Sequence, residues 1–117
     1  MSKRGKGTAR KKLFERILSP VSDTSKGFHF YEALHKPLYQ TALSLQDFME
    51  KLQTLPLPSV EFHMSRGDFS KWIADTIGDT KLSRTISKIK AAGEDLRKEL
   101  IETIRKRITE LRKAPAK

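Results

Sequence analysis

The chain lacks both cysteine and asparagine among its 117 residues. Without cysteine it has no disulfide framework, no thiolate metal site and no cysteine nucleophile. Asparagine is thermolabile, so its absence from a chain rich in lysine, arginine and glutamate predicts a heat-adapted source.

Long apolar runs are also missing. No run approaches the roughly 18 residues that a membrane-spanning helix needs. The basic N-terminus is not followed by an apolar segment, so it does not have the pattern of a secretory signal. We therefore expect a cytoplasmic protein that does not bind membranes.

Residues suited to catalysis or metal binding are few. The spacing of Gly5 and Gly7 does not fit a phosphate-binding loop, and no nucleophile–base pair is recognisable. His29, Glu32 and His35 form the pattern H-x-x-E-x-x-H, but on a helix the two histidines diverge by about 120°. A di-iron site would also need a second such pair. We predict no enzymatic activity, no metal and no cofactor.

Positive charge is concentrated at the two ends of the chain. Residues 1–27 contain eight basic and two acidic side chains, and residues 112–117 contain three basic side chains and no acid. Residues 28–111 are nearly balanced, with thirteen basic and twelve acidic. Such charge segregation is typical of arms that lie along phosphates. It predicts nucleic-acid binding by Lys3, Arg4, Lys6, Arg10, Lys11, Lys12, Arg16, Arg112 and Lys113.

The local pattern divides the chain into an arm and a body. A short amphipathic helix is predicted over residues 9–18, followed by a linker of turn-forming residues over 19–27. We therefore predict a basic arm with a short helix and linker over 1–27. A single helical domain is predicted over 28–117, which is long enough for one modest core.

The segment 28–35, FHFYEALH, fits two structures. Its aromatic content favours a strand, but a lone strand has no partner with which to pair. Because Pro37 interrupts the pattern soon afterwards, we favour a helical turn. The predicted fold class is therefore all-α: a small helical bundle with a basic N-terminal arm and a long C-terminal helix.

Capping residues predict where the central helices begin and end. Ser44 is a candidate N-cap, and Pro56 and Pro58 end the helix that follows it. Asp68 is the candidate N-cap of a later helix, and Gly78 suits the position just past its C-terminus.

The longest apolar stripe runs from Leu82 to Leu111 in steps of three and four residues. An unbroken helix over 80–112 would be roughly 50 Å long, which exceeds the diameter of a domain of this size. The helix therefore either breaks near Gly93 or projects towards a partner. Two acidic residues follow Gly93 and suit a new helix start.

The densest polar cluster is the segment from His63 to Asp68. One interpretation is a ligand clamp formed by His63, Arg66 and Asp68. The other is structural, with Asp68 capping its helix, Gly67 permitting the turn and Arg66 pairing with a nearby acid. We favour the structural interpretation. Trp72 has apolar neighbours and is interpreted as a core anchor rather than a base-stacking platform.

A pattern of histidine, then Gly-Asp-Phe-x-x-Trp, then Gly-Asp-x-x-Leu crosses this region; its residues are His63, Arg66, Gly67, Asp68, Phe69, Trp72, Gly78 and Asp79. Over roughly residues 28–110 the chain resembles an uncharacterised family of small, mainly archaeal proteins, classed as a domain of unknown function. Ser83 stands where that family usually has alanine. The resemblance implies a helical fold and an archaeal source, and it implies no activity.

The leading functional hypothesis is non-enzymatic binding to structured RNA, most concretely ribosomal RNA, as a ribosomal or ribosome-associated protein. Basic arms make many phosphate contacts, which give strong, salt-sensitive and largely shape-based binding. One alternative is a helical module for protein–protein interaction or homodimerisation through the C-terminal stripe. A second alternative is a DNA- or chromatin-associated protein.

Overall fold

The computed structural model describes residues 15–113. This part of the chain contains helical residues at 15–18, one antiparallel hairpin and five further α-helices: β1 (Phe28–Ala33), β2 (Lys36–Ala42), α1 (Leu45–Leu52), α2 (Leu57–Arg66), α3 (Asp68–Trp72), α4 (Thr80–Ser87) and α5 (Gly93–Lys113). A 3₁₀ turn, Thr24–Lys26, precedes β1, and a π-helical turn, Ile73–Ile77, continues α3. None of the helices between residues 15 and 113 is long and apolar enough to cross a membrane.

The hairpin shows that the all-α prediction is wrong. The fold is mixed, mostly helical with a two-stranded antiparallel sheet. Phe28 lies opposite Ala42 and His29 lies opposite Thr41. Phe28 and Phe30 are buried, whereas the intervening His29 is exposed. This alternation is that of a strand with one face on a core.

The partner strand β2 was not predicted, because its sequence pattern is irregular. Pro37 lies within β2, opposite Tyr31, where a proline is tolerated if the strand is at a sheet edge. The register shifts twice along the pair. His35 and Tyr39 have positive φ angles of 64° and 58°, which residues other than glycine rarely adopt. Neither bulges nor such turns leave a clear periodic pattern in the sequence.

The segment before the hairpin packs on the body. Of the predicted helix 9–18, the described residues 15–18 are helical and Ile17 is buried. Val21 N donates to Leu43 O at 2.7 Å. A Cβ added at Gly27 would lie 2.7 Å from the carbonyl oxygen of Ala42, so this close approach requires glycine.

Three of the predicted helix boundaries are confirmed. The Oγ of Ser44 accepts from the backbone N of Asp47 at 3.0 Å and caps α1. Gly78, with φ 88°, follows the π-helical turn that continues α3. The long apolar stripe is divided between α4 and α5, and Gly93 has φ 63° at the start of α5. The predicted break near Gly93 is therefore present.

The core joins an aromatic cluster to the apolar stripe of α5. Within the cluster, Phe48 lies 5.8 Å from Phe30 and 5.1 Å from Phe69, measured between ring centroids. Trp72 is also buried, and its Nε1 donates to the carbonyl oxygen of Lys26 at 2.9 Å. The predicted role of Trp72 as a core anchor is confirmed. The buried stripe of α5 consists of Leu96, Leu100, Ile104, Ile108 and Leu111.

Candidate functional site

His63 connects the hairpin to two helices. Its Nε2 accepts a hydrogen bond from the backbone N–H of Tyr31 at 2.8 Å. Its Nδ1 lies 2.8 Å from Oδ2 of Asp68. Because Nε2 must be an acceptor, the neutral ring carries its proton on Nδ1 and donates it to Asp68. Both ring nitrogens are therefore engaged in packing the fold, and neither is free to act as a general base.

The α2 helix completes the open edge of β1. The Oγ of Ser59 donates to the carbonyl oxygen of Tyr31 at 2.7 Å, while His63 accepts from the N–H of the same residue. Ser59 and His63 are four residues apart, so they lie on one face of α2. They satisfy the two backbone groups that an edge strand would leave unpaired.

Asp68 does not cap its helix, so this part of the structural interpretation is wrong. The N-cap of α3 is Gly67, with φ 74°, and it forms no side-chain capping bond. The carboxylate of Asp68 instead accepts from His63 and, at 3.2 Å, from Nε of Arg66. The guanidinium of Arg66 also lies 5.2 Å from the ring centroid of Phe62. The predicted turn at Gly67 and the predicted local pairing of Arg66 are confirmed.

Burial lowers the pKa of His63 below its ordinary value, and the nearby Asp68 carboxylate opposes this only in part. A histidine that is harder to protonate in the folded state contributes stability that is fully present above its unfolded pKa of about 6.5. That stability is lost as the pH falls from there towards the folded pKa. Protonation would also place a proton on Nε2, where it would face the Tyr31 N–H.

We predict that the free energy of unfolding falls between pH 7 and pH 5, and that His63→Gln flattens this dependence. Urea denaturation at the two pH values measures the effect. His29→Gln is the matched control because His29 is exposed on the hairpin, and it should keep the dependence of the wild-type chain. Equal slopes for wild type and His63→Gln would contradict the prediction.

The second half of the sequence pattern forms a buried ion pair. The carboxylate of Asp79 caps α4 by accepting from Leu82 N at 3.0 Å. It also accepts from Nε and Nη2 of Arg107, at 2.7 and 3.1 Å. Burial alone would lower the pKa of Arg107, but its hydrogen bonds to Asp79 and Glu110 outweigh burial and raise it. This bidentate pair fixes α4 against α5.

An open groove of about 520 Å³ lies between the hairpin and helices α2 and α3. Its wall is aromatic, and its rim carries Arg66 and Lys71 together with Asp68 and Asp75. Charges of both signs therefore balance around it. His29 and His35 line this groove as well, whereas Glu32 does not. Among residues 15–113, no three metal-ligating side chains lie close enough together to hold an ion.

Described residues of the two basic segments contact neighbouring parts of the body. Nη2 of Arg16 lies 3.6 Å from the point that a Cβ on Gly78 would occupy. The next residue, Asp79, binds Arg107 of α5. Lys113 follows on the same helix, about 9 Å further along its axis at 1.5 Å per residue. Arg16 and Arg107, which are distant in sequence, thus lie beside adjacent residues of the body.

Two further contacts support this arrangement. Val21 N bonds to Leu43 O just before α1, and Nη2 of Arg112 lies 3.5 Å from Oε1 of Gln46 in the first turn of α1. The first turn of α1 therefore lies close both to the N-terminal segment and to the last turn of α5.

The predicted RNA-binding residues have different outcomes. Arg16, Arg112 and Lys113 are exposed. The remaining six predicted residues lie outside the described part of the chain: Lys3, Arg4, Lys6, Arg10, Lys11 and Lys12. Sequence reasoning identified these groups as two separate basic ends. It gave no signal that Arg16 and Arg107 lie beside adjacent residues of the body.

No family model, curated protein or solved structure matches this chain. The resemblance to an uncharacterised archaeal family therefore stays a prediction. The residues of its pattern pack in the core or hold neighbouring elements together. The fold therefore accounts for them without a ligand. Functional inference rests on the geometry and charge of this molecule.

Proposed function

We propose that this protein binds structured RNA, most concretely ribosomal RNA, through its two basic ends and without catalysis. The concentration of positive charge in these two segments and the contacts of their described residues with neighbouring parts of the body support the proposal. Residues 1–27 and 112–117 together carry eleven basic and two acidic side chains. Arg16, within the first segment, and Arg107, five residues before the second, lie beside the adjacent residues Gly78 and Asp79.

The proximity of the two basic segments matters because the contributions of individual phosphate contacts to binding add up. Each basic side chain that neutralises a phosphate releases counterions, and the salt dependence of binding grows with the number of such contacts. Two basic segments that extend from neighbouring parts of the body can contact the same stretch of RNA backbone. RNA is favoured because double-stranded RNA is recognised mainly by shape and by phosphate contacts. DNA or chromatin is the alternative that uses the same charges.

The dimerisation hypothesis loses the observation on which it rested. The sequence left two alternatives for the apolar stripe of α5: contact with a partner, or packing within the chain's own core. Leu100 and Ile104, at its centre, are completely buried against the chain's own core. The stripe is therefore occupied within one copy of the described chain. Homodimerisation or partner docking through the C-terminal helix stays an alternative prediction.

Neutralising the arm should weaken RNA binding at least about tenfold at physiological salt, and it should reduce the salt slope by about one for each phosphate that no longer meets a cation. The variant replaces six cations by glutamine: Lys3, Arg4, Lys6, Arg10, Lys11 and Lys12. Substitution is better than deletion through residue 18, because Ile17 is part of the core. Fluorescence anisotropy with a structured ribosomal RNA fragment, from about 50 to 200 mM salt, measures both quantities.

The matched control is Lys36→Gln with Lys98→Gln, which removes two exposed cations from the hairpin and from α5. This control should bind as tightly as the wild-type chain. Competition with duplex DNA of equal length distinguishes the two nucleic acids. Unchanged binding after neutralisation of the arm would exclude it as the contact surface.

In cells, the proposal predicts a cytoplasmic protein that sediments with a ribosomal subunit. Tagged protein in lysate should migrate with that particle in a sucrose gradient at low salt, and it should be released at high salt because phosphate contacts are screened. Protein that stays at the top of the gradient under both conditions would contradict the ribosomal assignment.

A further inference from the structure

A second cationic surface lies on α4, apart from the chain ends. Residues 80–92 contain four basic side chains and no acidic one. All four, Lys81, Arg84, Lys88 and Lys90, are exposed. Leu82 and Ile86 are buried, so they hold the opposite face of α4 against the core. At 100° per residue, Lys81, Arg84 and Lys88 lie within about 60° of one another around the helix axis.

This surface borders a shallow groove of about 180 Å³ between α4 and α5. The polar side chains that line the groove are Lys81, Thr85, Thr103, Lys106, Arg107 and Glu110. Glu110 is the single acid in this lining, and it is already shared between Arg107 at 2.7 Å and Lys81 at 3.4 Å. Lys106 forms no ion pair with any residue that the structure describes between 15 and 113. The groove therefore has a positive surplus.

One end of the groove lies near Arg16, a described residue of the N-terminal basic segment. Lys81 follows Asp79, whose neighbour Gly78 lies beside Arg16. Glu110, on the opposite wall, lies within the last turn of α5 before Lys113. From there α4 continues past Thr85, and the exposed Arg84 and Lys88 extend the cationic surface beyond the groove lining.

We infer that the α4–α5 groove is a second phosphate-binding surface, along which the RNA backbone continues from the basic ends. This inference rests on the proposed function. The ligand chemistry is the phosphodiester backbone: the ammonium groups of Lys81 and Lys106 face it as cations, and the hydroxyl of Thr103 is a hydrogen-bond donor on the same wall. Contacts of this kind fix the position of a nucleic acid without reading its sequence.

The test neutralises the groove in the full-length chain. Lys81→Gln with Lys106→Gln should reduce the slope of log affinity against log salt by about two, one for each phosphate contact, on every RNA sequence tested. Lys36→Gln with Lys98→Gln removes the same charge away from the groove and should leave the slope unchanged. Loss of the Lys81–Glu110 pair should alter stability little, since both side chains are more than half exposed.

Glu110→Gln gives a result of opposite sign. It removes the acid from the groove, so RNA should bind more tightly than to the wild-type chain. Weaker or unchanged binding by Glu110→Gln, or a groove variant that binds like wild type, would overturn the inference. In that case loss of binding in the arm-neutralised variant would still support the proposed function. A wild-type chain without salt-dependent RNA binding would overturn both.

Discussion

Replacing Arg107 with methionine should lower the free energy of unfolding by about 3–5 kcal/mol, the cost typical of removing one partner from a buried ion pair. The side chain of Asp79 is 1% exposed, and that of Arg107 is 14% exposed. Methionine fills much of the space but offers no hydrogen bond. The Asp79 carboxylate would then be a buried charge without its partner, although its capping bond to Leu82 would persist.

Arg105→Met is the matched control for this experiment. Arg105 lies on the same helix and pairs with Glu102 at 2.8 Å, but both side chains are about half exposed. Exposed pairs typically contribute under about 1 kcal/mol. Urea denaturation of the two variants, followed by circular dichroism, measures the difference. Equal losses would show that the Asp79–Arg107 pair does not fix α4 against α5.

Phe48→Ala should lower the free energy of unfolding by about 3–5 kcal/mol, the range for removing a buried phenylalanine and leaving a cavity. Phe48 is completely buried in α1. Its ring centroid lies 5.6 Å from that of Phe28 and 5.8 Å from that of Phe30, both in the hairpin. It also lies 5.5 Å from the ring system of Trp72. The substitution thus removes the aromatic contact between the hairpin and α1, whereas the hydrogen bonds of Ser59 and His63 to Tyr31 would persist.

A second measurement tests where the damage occurs. Amide hydrogen exchange in β1 and β2 should accelerate more in Phe48→Ala than in Phe48→Leu, because leucine retains part of the packing. Tyr39→Ala is the surface control; Tyr39 is 90% exposed, so its loss should change stability little. Similar stability losses for Phe48→Ala and Tyr39→Ala would rule out Phe48 as a core contact.

The polar residues of the sequence pattern have a common physical role. His63 joins β1 to α3 through Tyr31 and Asp68, and Asp79 joins α4 to α5 through Arg107. No buried side-chain nitrogen or oxygen among the described residues lacks a hydrogen-bond partner. Buried polar groups that are fully satisfied specify one arrangement of helices. The pattern therefore describes how this fold is assembled, which explains why it carries no indication of activity.

The candidate interface was only partly predictable. The concentration of charge at the chain ends is a property of the sequence, and it is sufficient to identify Arg16, Arg112 and Lys113. The groove cations Lys81 and Lys106 were not identified, because they stand within residues 28–111, whose overall charge is nearly balanced. Their surplus becomes visible only when α4 and α5 are placed side by side.

Features that depend on near neighbours could be predicted from the sequence. A serine cap and a glycine in the left-handed conformation each act within about four residues, so Ser44 and Gly78 could be recognised directly. The apolar stripe left two alternatives open at Gly93, and the packing of α4 and α5 decided between them. Packing also decided the features that join distant residues: the pairing of β1 with β2, the partner of Asp68, and the contacts of Arg16 and Arg112 with the body. These features depend on which surfaces meet. Local propensity carries no information about that choice, because it is made by the packing of the whole core.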